Sequence, residues 1–358
     1  MKIGILNLPF DNNYGGNLQR YALVHVLQSM GHDVTCIYLR TKLFLPWYKK
    51  PYSYTKRLIK KILRRNNEKL FLESDINRSN LKKQVFALSF YKKYINHTEP
   101  VYDKRQVCRI VKSQQFDAVI VGSDQVWRKS MTKSIGFENF FLKFVSDDII
   151  KIAFSVSLGT SNNEYTVSEV ALIQKLYSRF KAVSVREMSA LSLFEKNGWI
   201  HPHAECTLDP TLLLTTYDYN CIINKAVVED VTTNKAFCYI LDMNNEVERE
   251  LGRIDEDYIV NDLCTSDKVS IEQWLNNIKL CNMVLTDSYH GVVFSIIFNK
   301  PFKFMGNQRR GNDRVESLFF MLGIDRRNTL NCNWDVINMK ISENRAKSKR
   351  YLELNLKY

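Results

Sequence analysis

The 358-residue chain is 45% hydrophobic and 25% charged, with a formal net charge of +13. That balance fits a globular chain, not a disordered or fibrous one, and the length favours two domains over one core. No apolar run approaches the roughly 20 residues of a membrane span. The eight cysteines include no CxxC pair, which argues against zinc or a disulfide framework and for a reducing cytoplasm.

The start, MKIGILNLPFDNN, turns polar too early for a secretory signal and reads as a first strand, KIGILNL (2–8). A polar loop leads to a helix whose Leu23, Val26, Leu27 and Met30 share one face. Gly31 ends it, and DVTCIYL (33–39) is the next strand, so the chain opens on a βαβ unit. A basic, helical insertion follows over about 40–113. Within it, residues 49–69 carry nine Lys or Arg and one acid, Glu68. Leu58, Ile59, Ile62 and Leu63 interleave there with Lys56, Arg57, Lys60, Lys61, Arg64 and Arg65, and Trp47, Tyr48, Tyr52 and Tyr54 stand upstream. Such a segment suits an anionic membrane surface. A solvated helix packing one face on its own domain is the competing reading, and no recognition motif supports nucleic acid.

Further strands are expected at FDAVIVG (116–122), KIAFSVSLG (151–159) and KAVSVRE (181–187), with helices around 168–180 and up to about 197. A short strand region ends at TLDPTLLL (207–214), and residues 215–234, polar and without a clear period, read as a connection. A second alternating set runs through KAFCYIL (235–241), DYIVNDL (257–263), NMVLTDS (282–288) and PFKFMG (301–306). Helices are expected at 270–280 and after His290, and a charged helix over about 334–355 closes the chain. The expected organisation is α/β: a Rossmann-like domain over 1–214, a linker over 215–234, and a second Rossmann-like domain with the C-terminal helix over 235–358. The two parallel-sheet domains would face a central cleft, with ligands outside the carboxyl ends of their strands.

Four polar clusters fall at such strand ends. In DNNYGGNLQRYAL (11–23), Gly15 and Gly16 allow close backbone approach and the helix start offers N–H groups to an anion; a glycine-rich turn with Asn17 as N-cap is the alternative. In VGSDQVWR (121–128), Ser123, Asp124, Gln125 and Arg128 suit a hydroxylated ligand with Trp127 as a stacking surface, or else form a capped turn with a core tryptophan. In SVRE (184–187), Arg186 is a natural oxyanion grip, or a local partner of Glu187. In LTDSYHGVVFSIIFNKPF (285–302), Thr286, Asp287 and Ser288 precede His290 at the first turn of a helix, whose positive dipole end favours an anionic ligand. A structural histidine is the alternative there.

Taken together, NYGGNLQRYAL, VGSDQVW, SVRE, DPTLLL and TDSYHGVVFSIIFNKPF resemble the polysaccharide pyruvyl transferase family in order and spacing over most of residues 1–310. The resemblance implies a glycosyltransferase-B-like fold. It also implies transfer of a pyruvyl group from phosphoenolpyruvate, as donor substrate with no cofactor or metal, onto two sugar hydroxyls as a cyclic ketal with release of phosphate. The acceptor it implies is a lipid-linked oligosaccharide of capsule or exopolysaccharide synthesis, met at the inner face of the cytoplasmic membrane. His290 matches the family's histidine and is the expected proton-transfer group, and Arg186 matches an arginine expected to hold phosphate or carboxylate. Asp124 would orient or deprotonate the acceptor hydroxyl, with Gly15, Gly16, Asn17, Ser123 and Ser288 binding substrate. Many members carry an arginine where this chain has Ser288; Arg309, Arg310 and Arg314 stand nearby as replacement cations. A glycosyltransferase of the same fold, using a nucleotide-sugar, and a non-catalytic polysaccharide-assembly protein remain alternatives.

Overall fold

The computed structural model describes residues 1–63, 69–228, 235–253, 258–260, 269–307 and 311–357. The first half contains β1 (Lys2–Leu6), α1 (Tyr14–Ser29) and β2 (Asp33–Cys36), then the insertion helices α2 (Lys50–Ile62), α3 (Leu72–Lys83), α4 (Val85–Tyr94) and α5 (Lys104–Gln114). It continues through β3 (Ala118–Val121), α6 (Phe137–Phe140), β4 (Ile150–Val156), α7 (Val167–Tyr177), β5 (Ala182–Val185), α8 (Met188–Lys196) and β6 (Ala204–Cys206). After α9 (Thr216–Ile223) come β7 (Ala236–Tyr239), α10 (Asn245–Leu251), β8 (Tyr258–Val260), α11 (Ile271–Leu280), β9 (Met283–Thr286), α12 (Tyr289–Ile297) and β10 (Phe302–Phe304). Helices α13 (Asp313–Leu322) and α14 (Trp334–Asn355) complete the chain.

The strands form two sheets, of order β2-β1-β3-β4-β5-β6 and β10-β9-β7-β8, and every pairing is parallel. Short apolar strands such as AVIV of β3 are buried throughout, because helices cover both faces of a parallel sheet. The order reverses direction between β1 and β3 in the first sheet and between β7 and β9 in the second. Such switch points leave a crevice at the carboxyl ends of the strands, since neighbouring connections depart to opposite faces. The two crevices face each other, which is the glycosyltransferase-B-like arrangement.

One apolar core runs through both halves. Tyr14 of α1 stacks on Tyr239, packs against Trp274, and donates its hydroxyl to the Val269 carbonyl at 2.7 Å. Helix α14 returns to the first half: the Leu208 N–H donates to Ser348 Oγ, Arg345 donates to the Leu212 and Leu214 carbonyls, and Tyr351 meets Phe154. Helix α14 also packs against α13, so it joins the two halves.

Two local expectations are corrected. The strand expected to reach TLDPTLLL ends at Cys206, and Pro210–Leu213 forms a 3-10 turn held by the Asp209 side chain. The segment read as an irregular connection contains α9, nucleated by a capping box between Thr215 and Asp218 that its weak apolar period conceals. The insertion over 40–113 is helical, with α2 over the basic stretch; Arg64 and Arg65 lie outside the described residues.

Candidate active site

A cavity of about 290 Å³ opens between the facing switch points. The loop after β1 contributes Asn13, and the loop after β3 contributes Asp124 and Gln125. Across it stand Leu241 and Asp242 after β7, and Asp287, Ser288, Tyr289 and His290 after β9. Arg314 of α13 and Arg128 complete its polar lining.

The turn from β9 into α12 is fixed by its own polar residues. Thr286 Oγ1 donates to the Tyr239 carbonyl at 2.7 Å and accepts from the Ser288 N–H at 3.0 Å. A Cβ at Gly291 would lie 2.1 Å from that oxygen, so only glycine fits there. Asp287 accepts from the N–H groups of Leu241 and Asp242 and from Asn307 Nδ2, tying together the loops after β7, β9 and β10. Ser288 is the N-cap of α12, but its side chain makes no capping hydrogen bond and lines the cavity.

This frame holds His290, buried in the first turn of α12, against the first turn of α1. A Cβ at Gly15 would stand 2.1 Å from His290 Cγ and Nδ1. Gly15 is therefore a contact between the two halves, where backbone meets an imidazole ring. His290 Nε2 lies 3.9 Å from Asp209 Oδ2 and has no hydrogen-bond partner among the described residues. Burial, only partly offset by the Asp209 carboxylate, lowers its pKa to about 4, so the ring is neutral at pH 7.

Behind the histidine, Arg186 donates from one terminal nitrogen to Asp209 Oδ2 at 2.7 Å and from the other to Asp124 Oδ1 at 3.1 Å. Its side chain is 1% exposed. Both terminal nitrogens are thus hydrogen-bonded to carboxylates, and the residues lining the cavity do not include Arg186. Asp209, embedded in DPTLLL, had no role in the sequence reading, yet it is the node of this network. It also accepts from the Thr211 N–H and hydroxyl and from Gln19. Burial disfavours its charged form, but Arg186, His290 and Thr211 outweigh that and hold its pKa below the usual carboxylate range.

Asp124 is half-buried, lines the cavity, and adopts φ 86°. That left-handed backbone is held because its carbonyl accepts from both Val126 and Ser157. Arg186, then Arg314 and His290, overcome burial and keep its carboxyl ionised below the usual range.

Arg314, in the first turn of α13, is a second cation on the cavity wall beside Arg128, with its Nη1 3.9 Å from Asp124 Oδ1. Two guanidinium groups stand over the Tyr289 ring, Arg186 at 4.8 Å and Arg314 at 5.4 Å from its centroid. Burial, then repulsion from Arg186, lowers the pKa of Arg314 to about 10, leaving it charged at neutral pH. The loop before it approaches the first half so closely that a Cβ at Gly311 would meet the Gly159 carbonyl at 2.1 Å. Arg309 and Arg310 lie outside the described residues.

The other expected ligands sit away from the cavity. The N-cap of α1 is Asn13, not Asn17, so Gly15, Gly16 and Asn17 are inside the helix. Asn17 is buried, donating to the Asp11 and Asn13 carbonyls and accepting from Arg20. Ser123 is buried between Gln19 and the Ser155 carbonyl. Trp127 is a core residue, stacked on Phe141 at 4.5 Å with its indole N–H on the Phe140 carbonyl, so it offers no face to a sugar. Among the described residues, no group of three or more His, Cys, Asp or Glu side chains is placed to hold a metal.

Comparison with known proteins adds three solved structures of similar chain path. The S. aureus MnaA–UDP structure shares 12% identity over 97% of this chain and 91% of that one, with a TM-score of 0.49. The UDP-GlcNAc 2-epimerase of Neisseria meningitidis bound to UDP-GlcNAc shares 8% over 97% and 94%, at 0.47. An alpha-glucosyltransferase in complex with UDP shares 8% over 98% and 95%, at 0.43. No curated protein matches the chain. The family model for polysaccharide pyruvyl transferase matches residues 13–309, a span that holds α1, Asp124, the switch point between β7 and β9, and His290. The chain belongs to the polysaccharide pyruvyl transferase family.

Proposed function

We propose that the chain transfers a pyruvyl group from phosphoenolpyruvate to two hydroxyls of one sugar in a surface-polysaccharide or exopolysaccharide precursor, closing a cyclic ketal and releasing phosphate. The observation that carries this reading is a neutral buried imidazole, backed by Asp209, sharing a cavity with the Arg314 guanidinium at the dipole-positive end of α12. A multiply charged donor needs cations and hydrogen-bond donors around it, and Arg314, Arg128 (which also pairs with Glu164 at 3.1 Å), the Ser288 hydroxyl and the α12 terminus would supply them.

The proton inventory then closes on His290. As neutral base it takes the proton of the first sugar hydroxyl, and as that oxygen bonds to C2 the donor's C2=C3 pair moves to C3 and takes up a proton in the same step. That proton comes from the imidazolium, steadied by Asp209, so the methylene becomes a methyl group. The C2–O bond to phosphate breaks with its electron pair, leaving an oxocarbenium-like carbon. The second hydroxyl attacks that carbon, oriented by Asp124, and its proton leaves with the phosphate. The scheme calls on no further cofactor.

The test is incubation with phosphoenolpyruvate and a panel of lipid-linked and aryl glycosides. Phosphate release matched by an acceptor mass gain supports the reading. Consumption of a nucleotide-sugar with the same acceptors would make the chain a glycosyltransferase. Protection from heat unfolding by neither donor would make it a non-catalytic assembly protein.

A further inference from the structure

We propose that the outward face of α2 and the turn before it seat the protein on an anionic lipid surface. Of the 26 large hydrophobic side chains exposed among the described residues, 13 fall between Leu43 and Phe86. Single exposed leucines need no explanation, but a contiguous apolar patch marks a surface that something covers.

Helix α2 buries none of its residues, yet it is firmly held on one side. Arg57 binds Glu73 of α3 through both terminal nitrogens, at 2.8 and 2.6 Å, and Tyr54 packs edge-on against Phe71 at 5.3 Å. The opposite side carries Tyr52, Ile59, Ile62 and Leu63 at helical spacing, all exposed, with Ile62 71% exposed. Trp47, 78% exposed, extends the stripe through the preceding 3-10 turn. Lys56 and Lys60 border the stripe along the helix, and Lys49 and Lys50 stand at its start.

Charge selects the occupant. From Lys42 to Leu63 the chain has seven Lys or Arg and no acidic residue. A second copy of this chain would bring two such rims together and repel. A bilayer with acidic headgroups accepts both parts: aromatic and aliphatic side chains enter the interface while the lysines reach the phosphates. Among the described residues no helix is long and apolar enough to cross the membrane, so α2 would lie in the plane of its surface.

The insertion also leaves the first sheet at the carboxyl end of β2, the same edge from which Asn13 and Asp124 reach the cavity. On the function proposed above, this placement would present a lipid-linked acceptor to the cavity. The lipid contact itself rests on the surface alone, and its test uses no donor.

The test is co-sedimentation of the full chain with vesicles of mixed phosphatidylglycerol and phosphatidylcholine, against phosphatidylcholine alone. Binding is expected only to the anionic vesicles, with release at about 0.5 M salt, where screening shortens to a few ångströms. The triple variant Lys49→Gln, Lys56→Gln, Lys60→Gln should bind about 100-fold more weakly. Tyr52→Ser with Ile59→Ser and Ile62→Ser should lose binding at unchanged heat stability, because none of the three is buried. Equal binding to neutral vesicles, or wild-type binding by the lysine variant, would overturn the proposal. So would a concentration-dependent dimer that the Tyr52 variant abolishes, since the face would then join two copies.

Discussion

Replacing His290 with Asn should change how stability depends on pH, by an amount that follows from the site. The folded-state pKa is lowered from 6.5 to about 4, with burial as the main cause. Between those values the unfolded chain binds a proton that the folded chain rejects, so stability falls as pH drops through the window. From pH 7.5 to pH 5 the loss works out at about 2 kcal/mol. The neighbouring carboxylates do not confuse the measurement. Asp124 and Asp209 are held below their ordinary 3.8, and whatever stability they contribute is lost only at lower pH. The remaining five of the six histidines cancel between wild type and variant. Urea unfolding of both proteins at the two pH values, with equal slopes, gives the difference directly. The variant should gain about 2 kcal/mol on wild type as pH falls from 7.5 to 5. Parallel pH profiles would refute the reasoning, because His290 would then titrate as an ordinary exposed histidine.

Three further outcomes follow from contacts at the site. Gly15→Ala puts a methyl group 2.1 Å from the His290 ring and should cut turnover about 10²-fold or more, whereas Gly16→Ala, whose Cβ meets nothing closer than 3.8 Å, should stay near wild type; equal effects would detach the glycine from the histidine. Arg314→Ala should weaken phosphoenolpyruvate binding by about 2–5 kcal/mol in calorimetry, and wild-type affinity would remove Arg314 from the donor site. Arg186→Met leaves Asp124 and Asp209 without their shared cation and should cost about 3–5 kcal/mol of stability, with Asp209→Asn recovering part of it in the double variant; an unchanged unfolding midpoint would contradict the buried network.

Much of the scaffold is legible in the chain because buried parallel strands are short apolar runs, and each polar cluster just beyond one marks a carboxyl end. The loops at 121–128 and 285–290 both reach the cavity on that logic. What escapes the sequence is contact at long range. Gly15 reads as a flexible turn or an anion cradle, and only the packing of α1 on α12 shows that its missing side chain makes room for a histidine 275 positions later. Arg186 reads as a ligand grip because nothing local reveals that Asp209 and Asp124 converge on it from other strands. Asp209 carries the local signal of an Asp-Pro-Thr turn after a strand, which suggests a cap but not a buried ion network. Trp127 follows a polar loop and looks available to a sugar, yet the aromatic cluster of Phe141, Tyr177 and Phe194 claims it. Arg314 is distinguishable from its neighbours only once α13 is seen to begin at Asp313, which sets that side chain on the cavity wall.

The central claim is that a hydroxyl adds across the donor's double bond with protonation at C3, and deuterium reads that step directly. The reaction is run in heavy water with phosphoenolpyruvate and an acceptor glycoside, and the product is weighed by mass spectrometry while phosphate is counted. The account predicts one phosphate released per ketal formed, one deuterium in the new methyl group, and neither signal from His290→Ala. A product lacking that deuterium, or an acceptor that instead gains a sugar from a nucleotide-sugar, would contradict it.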